Sequence, residues 1–95
     1  MVKLRSEAID KLFKTILNLQ TIDECYDFFE DLCTVKEIQD MSQRLETAAL
    51  RLKGLSYQKI TEQVNISSAT IGRVNKCINY GSGGYKLAIE RLEKG

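Results

Sequence analysis

The side chains best suited to bind another molecule lie in one stretch of the sequence, from Tyr57 to Lys76. The second half of this stretch is predicted to be a helix with small, hydroxyl and basic residues on one face. Small side chains let a helix approach the DNA major groove closely, hydroxyl and guanidinium groups reach base edges, and a lysine binds phosphate. The stretch therefore predicts contacts with double-stranded DNA, made by Lys59, Ser67, Ser68, Ala69, Thr70, Gly72, Arg73 and Lys76.

The same stretch has the pattern of a helix-turn-helix. Aliphatic residues at helical spacing predict the inward faces of two short helices, formed by Ile60 and Val64 and then by Ile71, Val74 and Ile78. We expect Ser56 to cap the first of these helices and Ser67 or Ser68 to cap the second. Between the helices, Asn65 is expected to take a left-handed backbone conformation, and Ile66 to fill the angle.

Charge is unevenly distributed along the chain, although the net charge of its 95 residues is only +1. Residues 51–76 carry five basic side chains and one acidic one, whereas residues 20–47 carry eight acidic side chains and two basic ones. The positive region suits a phosphate backbone. One alternative stays open, in which the chain is a helical protein-interaction module without DNA binding and the acidic region supplies a docking surface.

The residue types that are missing or scarce argue against catalysis and metal binding. The sequence has no His, the commonest general base and zinc ligand, and Cys25, Cys33 and Cys77 contain no Cys-x-x-Cys pair. We therefore expect no catalytic residue, no metal and no cofactor, and free thiols in the cytoplasm. The second alternative is a small all-helical enzyme of the chorismate-mutase type, for which the chain offers no clustered cationic pocket outside the helix-turn-helix.

The elements that must position these residues predict an all-α fold of about six helices. Helical periodicity runs through nearly the whole chain, which contains no Pro. Besides the helix-turn-helix, we expect helices around residues 9–17, at 22–32, at 35–53 and at 84–94, the last one after a glycine-rich loop that starts at Asn79. Thr21 with Glu24 forms a predicted capping box, and Gly54 stands where the long third helix needs a C-terminal cap.

The predicted organisation is a single domain over residues 1–95, with dimerisation helices in 1–54, the helix-turn-helix in 55–78, and a loop and terminal helix in 79–95. A chain this short often gains stability by forming a homodimer. The long helix has a nearly heptad apolar stripe that suits such packing, made of Val35, Ile38, Met41, Leu45, Ala48 and Leu52. The first ten residues alternate charged and apolar side chains, so we expect neither a signal peptide nor a membrane span there.

Several short motifs, in this order and spacing, resemble the Trp repressor superfamily, and in particular its YerC/YecD type. They are Leu32-Cys-Thr34, Gln43-Arg44, Lys53-Gly-Leu-Ser56 and Ala69-Thr-Ile-x-Arg73, and the resemblance covers about residues 6–94. It implies an intertwined, all-helical homodimer whose N-terminal helices share a core. It also implies a sequence-specific transcriptional regulator, a repressor, whose two recognition helices lie roughly 34 Å apart and read a palindromic operator.

The resemblance also implies a small-molecule pocket. In Trp repressor, tryptophan lies between the long helix and the recognition helix, held by two arginines that Arg44 and Arg73 match and near two threonines that Thr34 and Thr70 match. This sequence has Val74 where the repressor has Gly, and Gly72 where it has Thr. Because a branched Val fills part of the indole slot, tryptophan is not expected to act as corepressor. Without a ligand, Arg44 would pair with an acid such as Asp40, and Arg73 would contact phosphate.

Overall fold

The computed structural model describes residues 4–95, and within that range it contains six α-helices and no strand. The helices are α1 (Glu7–Leu17), α2 (Ile22–Leu32), α3 (Val35–Leu52), α4 (Tyr57–Gln63), α5 (Ser68–Tyr80) and α6 (Gly84–Lys94). The predicted all-α fold is confirmed, and the predicted ranges of the second, third and last helices agree with these bounds to within one residue. Asn79 and Tyr80, which were predicted to lie in a loop, instead form the last residues of α5, because the helix ends only at the cap residue Gly81.

None of the described helices is both long enough and apolar enough to cross a membrane. The prediction that the first ten residues form neither a signal peptide nor a membrane span falls in part on residues 1–3, which lie outside the described residues. The described chain divides into two compact units, one ending at Val35 and the other formed by Lys36–Gly95. The predicted functional subdivision at residues 54 and 78 stays a prediction.

The first unit consists of α1, α2 and their connection. Both helices begin at a hydroxyl cap, because the Ser6 hydroxyl accepts from the N–H of Ile9 and the Thr21 hydroxyl from the N–H of Glu24, each at 3.1 Å. The Glu24 carboxylate accepts from the N–H of Gln20 at 2.8 Å, one residue before the donor of an ordinary capping box. Neither helix contains a buried residue. The apolar faces of both helices are therefore only partly covered, with Ile9, Leu12, Ile16, Phe28 and Phe29 half-buried.

The second unit contains two apolar clusters that hold its four helical segments together. The first cluster joins α3, α4 and α5 through Leu50, Ile60, Val64 and Ile71, with Leu55 and Ile66 against it. The second cluster joins α3, α5 and α6 through Ala48, Val74 and Ile89, with Ala49, Ile78 and Tyr85 against it. The buried residues of α3 lie in its second half, as Thr47, Ala48 and Leu50.

The C-terminal cap of the long helix lies, as predicted, at Gly54, which has a left-handed backbone (φ +92°). The N–H of Gly54 donates to the carbonyl of Arg51 at 3.0 Å, and the N–H of Leu55 donates to the carbonyl of Leu50 at 3.2 Å. These two bonds form a Schellman cap, and its usual apolar contact is supplied by Leu55 against the first cluster. The cap turns the chain at once into Ser56, the N-cap of α4.

Candidate nucleic-acid interface

Serine hydroxyls fix the start of both helices of the helix-turn-helix. The Ser56 hydroxyl accepts from the N–H of Lys59 at 3.2 Å, as predicted. Of the two serines considered for the second helix, Ser67 is the cap: its hydroxyl accepts from the N–H of Thr70 at 3.2 Å and lies 3.0 Å from the Thr70 hydroxyl. Ser68 is the first residue of α5 and is exposed, so its hydroxyl is available to a partner.

The turn between α4 and α5 differs from the prediction. No described residue other than glycine has a positive φ, so the left-handed conformation predicted for Asn65 is wrong. The chain leaves α4 instead through Val64, which is extended (φ −125°, ψ 134°), and the N–H of Ile66 donates to the carbonyl of Val64 at 2.9 Å. This three-residue turn needs no left-handed residue. Ile66 then packs against the first cluster, as predicted.

The recognition helix α5 has an apolar side that is buried and a polar side that is open. Ile71 and Val74 are 0% and 2% exposed, and Ile78 is half-buried, which confirms the predicted inward face. All eight predicted DNA-contact residues are accessible to solvent. Lys59, Ser67, Ser68, Ala69, Arg73 and Lys76 are exposed, and Thr70 and Gly72 are half-buried. All except Lys59, which lies on α4, belong to α5 or its cap.

The cations of this surface have no acidic partner in the described part of the chain. Two ion pairs are found among the described residues, Lys36 with Asp40 at 3.2 Å and Glu90 with Lys94 at 4.0 Å, and neither involves the helix-turn-helix. The positive charges of Lys59, Arg73 and Lys76 are thus neutralised by no carboxylate within residues 4–95. Such charges release counterions when they meet a nucleic-acid backbone.

Gly72 lies on the open side of α5, and nothing in the fold requires a glycine there. A β-carbon built at this position meets nothing within 4 Å, and the φ of Gly72 is not positive. A glycine in the middle of a helix costs roughly 0.5–1 kcal/mol relative to alanine. Since neither backbone strain nor crowding requires glycine here, the missing side chain leaves room for a molecule outside the chain.

A cavity of about 460 Å³ lies beside this surface, within the second unit. It brings together three of the four residues matched to the tryptophan pocket: Arg44, Thr70 and Arg73. Thr34, the fourth, belongs to the first unit and is not among the lining residues. The remaining wall is formed by Lys36, Asp40, Gln43, Asn65, Ile66, Ser67, Val74, Cys77 and Tyr85.

One expectation for the arginines of this cavity was that Arg44 pairs with an acid. Asp40 pairs with Lys36 on its own helix, and no ion pair between Arg44 and Asp40, the acid named as an example, is found among the described residues. Val74 does line the cavity, as the resemblance implied. Sequence reasoning missed Cys77 and Tyr85 as wall residues. Cys77 follows Thr70, Arg73 and Val74 at helical spacing and so had a signal, whereas Tyr85 comes from α6 and had none.

Sequence reasoning also missed Arg51, near the end of α3. Its Nε donates to the Asn75 side-chain oxygen of α5 at 2.9 Å, and its Nη1 donates to the carbonyl of Leu55 at 2.9 Å. Its guanidinium carbon lies 5.4 Å from the centre of the Tyr57 ring. Because Asn75 is 24 positions away in sequence, no local pattern pointed to this contact.

Known proteins resemble this chain over nearly its full length. The uncharacterized protein YerC of Bacillus subtilis (strain 168) is 47% identical over 92 residues, which cover 97% of this chain and 88% of YerC. The crystal structure of a TrpR-like protein from Eubacterium eligens ATCC 27750 has a TM-score of 0.91 and 47% identity, with 95% of this chain and 93% of that chain covered. A Staphylococcus aureus protein solved as a candidate Trp repressor also has a TM-score of 0.91, with 43% identity and coverage of 95% and 90%. Residues 7–93 match the family described as Trp repressor protein. The chain therefore belongs to the Trp repressor family.

Proposed function

We propose that this protein is a sequence-specific transcriptional regulator that binds a palindromic DNA site as a homodimer and acts as a repressor. Its family is a family of regulators, and its all-helical fold is consistent with DNA binding. The observation that carries the proposal is the two-sided α5: its apolar side is buried, while its small, hydroxyl and basic side is open and forms no ion pair with any residue in 4–95.

In this proposal α5 enters the major groove with its N-terminal end first. Ser68, Ala69 and Gly72 then come closest to the base edges, because their side chains are short or absent. Arg73 can form paired hydrogen bonds with a guanine edge or bind phosphate, and Lys59 and Lys76 bind phosphate on either side. The proposed homodimer carries these three cations twice. A plot of the logarithm of affinity against the logarithm of salt concentration should therefore have a slope of roughly −5.

The homodimer is supported by the surface of the first unit. Leu17 is 82% exposed and Ile22 is 75% exposed, and Val35 at the end of the unit is 70% exposed. The predicted stripe of the long helix is also poorly covered by the chain itself, since Met41 and Leu45 remain exposed and only Ala48 is fully buried. Exposed apolar surface on this scale indicates an interaction site. A second copy, as the family resemblance implies, is the occupant we propose.

The proposal is tested by selecting bound DNA from a random pool and then measuring fluorescence anisotropy with the selected site at two salt concentrations. We expect a symmetric site and a steep loss of affinity at higher salt. Replacing Arg73 and Lys76 by alanine should lower the affinity at least about a hundredfold, because each good base or phosphate contact contributes about 1–3 kcal/mol.

The matched control removes the same charge elsewhere, with Lys86→Ala and Arg91→Ala on the exposed side of α6. This control should bind the selected DNA like the wild type. A wild-type protein that selects no sequence and ignores salt would overturn the proposal. If the variant with both Arg73→Ala and Lys76→Ala still performed the protein's role in the cell, docking to another protein would be favoured instead.

We further propose that tryptophan does not act as corepressor. The support is Val74, which is 2% exposed, lines the cavity and is held in the second cluster, so it cannot swing out of an indole slot. Affinity for the selected DNA should be the same with and without millimolar tryptophan. A rise in affinity that is specific to tryptophan, and absent with other amino acids, would refute this.

A further inference from the structure

Arg51 contacts three segments of the helix-turn-helix region at once. It lies in the last turns of α3 and is half-buried. One of its N–H groups donates to Asn75 on α5, a second donates to the carbonyl of Leu55 in the α3–α4 connection, and its guanidinium lies over the ring of Tyr57 at the start of α4. The long helix, the connection, and both helices of the helix-turn-helix therefore meet at this one side chain.

The guanidinium group gives these contacts a fixed geometry. Its N–H donors leave a planar fork in set directions, so two hydrogen bonds from one fork fix the relative positions of their acceptors. The first cluster also joins α3 to α5, but contacts between aliphatic side chains are not directional and tolerate small rotations of a helix. Asn75 directly follows the buried Val74 and directly precedes Lys76, one of the predicted phosphate ligands.

We propose that Arg51 is a positioning residue, which holds α5 through Asn75 at the orientation relative to α3 that DNA binding requires. This inference rests on the proposed function. A rotation of α5 about the first cluster would displace the short side chains at its N-terminal end from the base edges. Because these side chains are short, they could not reach across the added distance. Arg51 thus acts on recognition without touching DNA itself.

The first test is DNA affinity in Arg51→Lys, Asn75→Ala and the double variant. Lysine keeps the positive charge but loses the fork, so both single variants should bind the selected site about tenfold more weakly. The double variant should bind no more weakly than either single one, because both remove the same link. The slope of affinity against salt should stay unchanged. Arg91→Lys on α6 and Asn79→Ala on α5, both exposed, are the controls and should bind like the wild type.

The salt dependence separates positioning from a direct phosphate contact. If Arg51 bound phosphate, Arg51→Lys would bind nearly as well as the wild type, and Arg51→Ala would lower the slope by roughly 0.9 per copy. Either result, or losses that add in the double variant, would overturn the inference. Circular dichroism at the assay temperature verifies that each variant is folded.

A second readout does not depend on DNA. Amide residual dipolar couplings of the free protein report the angle between α3 and α5, and this angle should change in Arg51→Lys but not in Arg91→Lys. Unchanged couplings would overturn the role of Arg51 while leaving the proposed function standing. Absence of DNA binding by the wild type would overturn the proposed function, and the couplings would still decide whether Arg51 orients α5.

Discussion

The two compact units of this chain differ in how far their apolar side chains are buried. In the second unit, Ile60 and Ile71 are fully buried in a cluster that the chain completes by itself. In the first unit, α1 and α2 are amphipathic helices without a single buried residue. Helices of 11 residues are marginal in water unless they pack against something. The comparison teaches that the predicted DNA-contacting part has a buried core of its own, whereas α1 and α2 have none and leave apolar side chains exposed for the partner we propose.

The largest effect should come from Ile71→Ala, which opens a cavity in the first cluster. Truncation of a fully buried isoleucine costs about 2–5 kcal/mol of unfolding free energy. Urea unfolding followed by circular dichroism measures this loss. The matching change in the first unit, Ile22→Ala, should give a loss that depends on protein concentration, because in the proposed homodimer the partner covers this exposed side chain. An equal, concentration-independent loss in both variants would erase the distinction between the units.

The next effect should come from charging the first unit with Leu17→Asp and Ile22→Asp. Aspartate in an apolar interface leaves a buried charge without a partner, so the dissociation constant of the homodimer should rise at least about a hundredfold, or ~2.7 kcal/mol. Sedimentation equilibrium measures it. Asn79→Asp with Ser82→Asp adds the same charge within the second unit and should leave the dimer intact. A dimer that tolerates the first variant would show that another surface holds it.

A smaller effect is expected at the helix caps, where the two units offer the same chemistry. Ser67→Ala removes the cap of α5 and should cost about 1 kcal/mol of global stability, because α5 is part of both clusters. Ser6→Ala removes the equivalent bond from α1 and should mainly speed amide hydrogen exchange in the first turn of that helix. Ser68→Ala, one position after the α5 cap, is the control and should leave stability unchanged. Equal global losses in Ser67→Ala and Ser6→Ala would argue against a difference between the units.

The smallest effect, and the only stabilising one, is expected for Gly72→Ala. The added methyl group meets nothing in the fold, so the free protein should gain roughly 0.5–1 kcal/mol. Affinity for the selected DNA should nevertheless fall, because the methyl group occupies space that the DNA needs when α5 lies in its major groove. Thermal unfolding and anisotropy measure the two quantities on one sample. A variant that is more stable and binds equally well would remove Gly72 from the interface.

Much of the second unit could be predicted from the sequence, because its apolar residues pack within the chain at helical spacing. The inward positions Ile60, Val64, Ile71 and Val74 were predicted correctly, and so were the caps at Ser56 and Gly54. These features depend on local spacing and on the conformational preferences of single residues. The helix-turn-helix was predictable for the same reason.

The features that sequence reasoning missed depend on contacts between distant residues or on a partner. The turn at Asn65 is set by Val64, which leaves the helix in an extended conformation. A β-branched residue tolerates that conformation well, but the local pattern assigned Val64 to the inward face and the turn to Asn65. The link from Arg51 to Asn75 spans 24 positions. The stripe of the long helix was predicted as apolar, but the chain alone does not decide what covers it: Leu45 is 42% exposed.

The cavity and the predicted DNA surface share three residues, Ser67, Thr70 and Arg73. A molecule that occupied the cavity would meet the same hydroxyl and guanidinium groups that the proposal assigns to DNA. Binding at the two places is then thermodynamically coupled: whatever factor such an occupant applied to DNA affinity, DNA would apply to the occupant's affinity. A substitution at any of the three positions therefore has to satisfy two kinds of partner at once. This leaves Ser67, Thr70 and Arg73 less freedom to vary than Ser68 or Lys76, which line no part of the cavity.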